Sequence, residues 1–200
     1  MENTQTNTLK DHLQSSYRDA AELIASYYQK EDVINSTEKF SQIMVESFNK
    51  GGKALIFGNG GSTCDALHFS EEFTGRYRKD RDPIAAIALT TDTSSITAIS
   101  NDYSYNEIFS RQVKGLGKEG DVLYAISTSG NSLNVIEGIN AAKLMKIKVI
   151  GVTGNQIGLM NNMCDELISV PSNRPDRIQE MHIAVGQIIC EKIENNFLRN

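Results

Sequence analysis

His68 and Glu72 stand four residues apart in a stretch of helical character, so one face of a helix would present an imidazole and a carboxylate side by side. A cation could use both groups. On spacing alone, though, such a pair reads more readily as a surface interaction. Two other segments carry groups suited to anions. The run Gly58-Asn59-Gly60-Gly61-Ser62 sits between a short apolar stretch and a helical one. Glycines there let the backbone approach an anion, and the first free N–H groups of the helix point toward it, with Ser62 or Thr63 as the expected cap. Glycine serves any tight strand-to-helix turn as well, so this signal is weak by itself. The second segment, Ser127-Thr128-Ser129-Gly130-Asn131-Ser132, places four hydroxyls in six residues, again before a helix. Capping and turn chemistry explain one or two of them but not that density. Hydrogen bonds to a charged acceptor are worth about 1.5–3 kcal/mol each, so several such donors would hold a monophosphate without a lysine.

Nucleotide motifs are missing. No G-x-x-x-x-G-K-[ST] occurs, and G-x-G-x-x-G fails because Thr63 stands at its last position. A net charge of −5 and a pI near 5.3 supply no basic field for nucleic acid or an anionic membrane, so any anion must be held locally. The polar start of the chain has no apolar signal region, and no stretch approaches the roughly 18 apolar residues of a membrane span, so a soluble cytoplasmic protein is expected. Cys64, Cys164 and Cys190 are odd in number and far apart, which indicates reduced thiols and no thiolate metal site. Asn35-Ser36-Thr37 matches a glycosylation acceptor formally but reads as a polar cluster flanking a helix.

These segments need elements to position them. Leu9, Leu13, Tyr17, Ala20, Ile24 and Tyr27 recur at helical spacing, and a second helical pattern runs through Ile34, Phe40, Ile43, Met44 and Phe48 to a Gly51-Gly52 stop. Residues 1–50 are thus an opening helical pair. Its apolar face exceeds what one sheet layer covers, so self-association is expected. Short apolar runs at 54–57, 84–89, 122–126, 149–152 and 167–170 then alternate with helical stretches. That alternation predicts an α/β fold, a doubly wound five-stranded parallel sheet covered on both faces. A long helix starts at Pro175 and runs to about Phe197, with Gln179, Glu180 and His182 on its polar flank. At 200 residues with 40% hydrophobic content, the chain is expected to form one domain, with 51–200 as its α/β core. In such sheets ligands bind beyond the carboxyl ends of the strands, where both anion-binding segments fall.

Taken together, GNGGS, HFSEEFTGRYR, AIALTTDTS, NDY, EGDVLYAISTSGNS and DRIQEMHI resemble the phosphoheptose isomerases of the sugar isomerase (SIS) fold across residues 51–194. ISTSGNS is shared widely among SIS proteins, whereas HFSEEFTGRY with DRIQEMHI points to this branch. The resemblance implies aldose–ketose interconversion of sedoheptulose 7-phosphate and D-glycero-D-manno-heptose 7-phosphate, which leads to ADP-heptose for lipopolysaccharide or related glycans. It places Asn59, Gly60, Gly61, Ser62, Asn101, Asp102, Ser127, Thr128, Ser129, Ser132 and Gln179 on a phosphorylated seven-carbon sugar, and makes Glu72 the catalytic base. It also implies a homotetramer with sites between subunits. Zinc in that family is held by histidine, glutamate, glutamine and a second histidine; His68, Glu72 and Gln179 match the first three, but Gln187 stands at the fourth position. An amide cannot transfer a proton, so a weakened zinc site or a changed acid/base partner is expected. His182 lies about 140° round the helix from 187, which suggests a structural role. Two other readings stay open: a non-catalytic protein resembling the DnaA initiator-associating proteins, and an SIS isomerase of another sugar phosphate.

Overall fold

Thr8 opens the first helix with a capping box: its hydroxyl accepts the Asp11 N–H, and its own N–H donates to the Asp11 carboxylate at 2.9 Å. In the computed structural model, which describes residues 8–198, this helix is α1 (Leu9–Tyr27) and α2 (Glu31–Asn49) follows it. The rest runs β1 (Ala54–Gly58), α3 (Gly61–Thr74), β2 (Ala86–Ala88), α4 (Thr93–Asp102), α5 (Ile108–Leu116), β3 (Val122–Ser127), α6 (Leu133–Leu144), β4 (Lys148–Thr153), β5 (Glu166–Ser169) and α7 (Pro175–Phe197). Single 3-10 turns at Tyr105–Glu107 and Leu159–Asn162 link α4 to α5 and β4 to β5.

All five strands pair in parallel in the order β2-β1-β3-β4-β5, as the alternation of apolar runs predicts. The edge strand β2 is shorter than the apolar stretch 84–89, because Ile84 gives its N–H to the Phe73 carbonyl at the end of α3. Both faces are covered. On one, Phe40 of α2 and Phe69 of α3 each meet Tyr124 of β3 edge to face at 4.9 Å, and α7 adds Ile178, Val185 and Ile189. On the other, Phe57 stacks on Phe109 at 4.4 Å, and α5 and α6 close the layer. Phe40 is fully buried, and truncating such an aromatic to alanine costs about 3–5 kcal/mol.

Two local expectations are corrected. The cap of α3 is Gly60, at φ +55°, rather than Ser62 or Thr63; the positive φ turns the chain sharply, so the helix starts at Gly61 and Ser62 is buried in its first turn. Asn35, Ser36 and Thr37 lie inside α2 instead of flanking it, and Thr37 returns its hydroxyl to the Val33 carbonyl. Cys64, Cys164 and Cys190 are unpaired. No helix among the described residues is long and apolar enough to cross a membrane.

Candidate active site

The chain leaves β1 toward β2 on one side, and every later strand adds on the other side. The carboxyl ends of β1 and β3, which pair through Gly58 and Ile126, therefore form the topological switch point where open α/β sheets hold ligands. The glycine loop and the serine turn both emerge there. A half-buried amide pair ties the glycine loop to the first turn of α6: Asn59 Nδ2 donates to Asn134 Oδ1, and Asn134 Nδ2 donates back to Asn59 Oδ1, both at 2.8 Å. Tyr105 adds its hydroxyl to Asn59 Oδ1 at 3.0 Å. Gly61 permits a second close approach, since a Cβ there would lie 2.4 Å from Gln179 Nε2.

In the serine turn, Ser127 Oγ lies 3.2 Å from Ser132 Oγ and 3.5 Å from Ser129 Oγ. Gly130 takes φ +65°, with the Thr153 hydroxyl close on the side where a Cβ would project. Ser132 is the cap of α6 by position, yet its side chain makes no capping bond. Its hydroxyl is turned toward Ser127, so the amino end of this 12-residue helix takes its side-chain acceptor from Asn134, whose Oδ1 accepts the Val135 N–H at 3.0 Å. Thr128 and Ser129 also border a narrow cavity of about 80 Å³ against Gln156, Ser172 and Asn173.

Farther along α3 a second cluster forms with α7. His68 Nε2 is 3.2 Å from Glu72 Oε1, and Gln187 Nε2 is 3.1 Å from the same oxygen and 3.2 Å from the imidazole nitrogen. With the His68 proton on Nδ1, Gln187 donates one N–H to each neighbour; with it on Nε2, both residues donate to Glu72. In either case the Glu72 carboxylate is an acceptor held by Gln187. Its side chain is 12% exposed, against 46% for His68. Donor atoms of His68, Glu71 and Glu72 lie within 4.8 Å of one another, close enough to share a cation. Gln179 lines one cleft of about 430 Å³ with His68, Asp65 and Gly61.

Residues 16–154 match the SIS domain. The chain is 52% identical over 158 residues to a phosphoheptose isomerase of Aliarcobacter butzleri, covering 79% of this chain and 84% of that protein. It is 46% identical over 190 residues to the phosphoheptose isomerase of Yersinia enterocolitica, covering 94% and 98%. The chain belongs to the phosphoheptose isomerases of the SIS-domain family. A solved phosphoheptose isomerase from Neisseria gonorrhoeae superposes with a TM-score of 0.88 at 40% identity, covering 94% of this chain and all of that one.

Within this SIS scaffold the sequence-expected residues fall into three groups. Asn59, Gly60, Gly61 and Ser62 surround the start of α3, and Ser127, Thr128, Ser129 and Ser132 form the turn beside it. His68, Glu72 and Gln187 meet on the α3–α7 face, and Gln179 faces the cleft between. Asn101 and Asp102 end α4, bonded to each other at 2.8 Å and exposed; the contact from this segment to the glycine loop is made by Tyr105. His182 is buried, with its Nε2 3.3 Å from the Thr153 carbonyl, and burial holds its pKa down to about 4. Sequence reasoning missed Asn134, Tyr105 and Asp65. Asp65 Oδ2 is buried without a hydrogen-bond partner, and desolvation pushes its carboxyl up to about 6 against the opposing pull of His68. Its spacing of three before His68 was the available signal.

Proposed function

We propose that this protein interconverts sedoheptulose 7-phosphate and D-glycero-D-manno-heptose 7-phosphate by proton transfer through an enediol, with Glu72 as the base. The observation that carries the reading is the Glu72 carboxylate, largely buried and fixed by Gln187, on the helix that starts in the switch-point glycine loop. The hydroxyls of Ser127, Thr128, Ser129 and Ser132, with the first N–H groups of α6, are the phosphate cradle. Asn59 to Ser62, Asn101 and Asp102 line the sugar. Glu72 lies three helical turns past Gly61, about 16 Å along the axis, which leaves room for an extended sugar phosphate between cradle and base. Glu72 removes a C1 proton from the ketose and the electron pair moves to form the enediolate; O2 gains a proton as the C1 hydroxyl loses its own, and Glu72 returns its proton to C2, leaving the C1 aldehyde. The N–H donors of Gln179, and the Nδ1–H of His68, stabilise the enediolate oxygens, while Gln187 holds the Glu72 carboxylate.

The donor set fits a divalent cation: one imidazole nitrogen and carboxylate oxygens within 4.8 Å, with the Gln179 amide in the adjoining cleft. His68, Glu72 and Gln179 would hold zinc, whose chemistry when bound is to polarise the substrate carbonyl. Gln187 turns its nitrogen toward this cluster, so the cation competes with hydrogen bonds already formed. A homotetramer with sites between subunits is part of the same proposal. It is supported by the apolar groove of about 350 Å³ between α1, α2 and α7, lined by Ile24, Tyr28, Ile34, Met181 and Ile188.

The test is incubation of the purified protein with sedoheptulose 7-phosphate, with and without added zinc, and detection of the aldose. Product formation is expected. No aldose under either condition, with the protein folded, would favour the non-catalytic reading suggested by Gln187.

A further inference from the structure

Arg81 and Glu194 form an ion pair sealed from solvent, with side chains 1% and 3% exposed. Neither belongs to the cluster around Glu72, yet together they touch both helices that carry it. Arg81 Nη1 donates to the carbonyls of Phe73 at 2.9 Å and Asp82 at 3.0 Å, and Nη2 donates to the carbonyl of Glu72. Glu72 and Phe73 lie in the last turn of α3, where carbonyls run out of helical N–H partners and a positive charge suits the helix dipole. Glu194 sits on α7 about two turns beyond Gln187. Its carboxylate lies 3.8 Å from Arg81 Nε and accepts the N–H groups of Arg78 and Lys79 at 3.1 Å. The guanidinium thus grips the backbone of Glu72 itself, and the carboxylate anchors that guanidinium to the helix bearing Gln179 and Gln187.

Burying two charges is costly, and apolar residues of similar volume often hold a fold equally well or better. This pair is not built for maximal strength, since Arg81 Nε has no hydrogen-bond partner. What apolar side chains would not supply is direction: hydrogen bonds from one planar fork to successive carbonyls fix where the helix ends.

We propose that Arg81, braced by Glu194, is a positioning residue for the isomerisation: it sets the place of the last turn of α3 so that the Glu72 carboxylate meets both Gln187 and the substrate carbon. This rests on the reading of Glu72 as the base. The phosphate cradle lies at the other end of α3, so the pair affects proton transfer and leaves phosphate binding intact.

The test uses the double variant Arg81→Met with Glu194→Gln, which strands neither charge and keeps an oxygen for the Arg78 and Lys79 N–H groups. We expect Tm at or near the wild-type value, kcat lowered roughly 10–100-fold and KM nearly unchanged. Wild-type kcat overturns the proposal, as does a loss of kcat that only follows a fall in Tm and a rise in KM. If the double variant does not fold, Arg81→Lys is read instead. Its single ammonium cannot span the Glu72 and Phe73 carbonyls together, so kcat should again fall with KM held, and unchanged kcat rejects the idea. Glu72→Gln is run alongside: wild-type turnover there removes the assignment of the base, whatever the Arg81 variants do.

Discussion

Gln187 Nε2 lies 3.1 Å from Glu72 Oε1, so α7 reaches across to α3 through an amide–carboxylate hydrogen bond between residues 115 positions apart. An amide in that place orients the carboxylate but offers no proton of its own. The chemistry of the cluster therefore falls on Glu72, with His68 and Gln179 as neighbours.

Replacing Gln187 by histidine would exchange a hydrogen-bond donor for an imidazole nitrogen facing His68 and Glu72. Zinc retention should strengthen roughly 10–100-fold, the range seen when the surroundings of a metal site change. Competition with a graded chelator, followed by metal analysis of the protein, measures this directly. Equal retention in Gln187→His and wild type would mean that these side chains do not form a metal site.

Ser132→Ala separates phosphate binding from folding. Because the Ser132 hydroxyl caps nothing, folding stability should change by less than about 1 kcal/mol. Loss of one hydrogen bond to a dianionic phosphate should raise KM at least about tenfold, with kcat preserved. A denaturant titration and steady-state kinetics give the two quantities. A fall in stability with unchanged KM would return Ser132 to an ordinary helix start.

His182 gives the protein a pH dependence of stability. Burial lowers its folded-state pKa to about 4, below the ordinary value near 6.5. The unfolded chain takes up a proton there before the folded one does. The stability is therefore complete above about pH 6.5 and is lost as pH falls toward 4, by up to about 3 kcal/mol. Tm measured across this window should fall more steeply for wild type than for His182→Gln, and parallel curves would show that the ring titrates normally.

The groove between α1, α2 and α7 leaves Ile34 55% and Ile188 57% exposed. A charge placed there should oppose assembly. Sedimentation of Ile188→Glu should show smaller species than wild type at micromolar concentration. A monomeric wild type under the same conditions would remove the tetramer from the account.

The strand-to-helix junctions were legible in the sequence because their signals are local. Glycines at 58, 60 and 61 and hydroxyls at 127 to 132 announce tight turns rich in donors within a few residues. The alternation of apolar runs sufficed for a parallel sheet, and crossovers then placed both turns at one sheet end. Partnerships across long separations were not legible. Asn134 reads as an ordinary first-turn residue until β1 and β3 pair and bring it to Asn59, 75 positions away. Arg81 sits in a charged stretch resembling a solvated loop, and only the packing of α7 on α3 shows that its charge is buried. The start of α3 at Gly61 lies two or three residues before the one a Ser62 or Thr63 cap implies, since capping rules favour hydroxyls and the φ of Gly60 is not written in its neighbours.

Whether Glu72 moves the carbon-bound proton can be read directly by isomerising sedoheptulose 7-phosphate in deuterium oxide and following deuterium at C2 of the heptose by NMR. Wild type should incorporate solvent deuterium as product accumulates, and Glu72→Gln should slow both processes about 10²–10⁴-fold while still binding the sugar phosphate. Incorporation by Glu72→Gln at the wild-type rate would contradict the account, because some other group would then be carrying the proton.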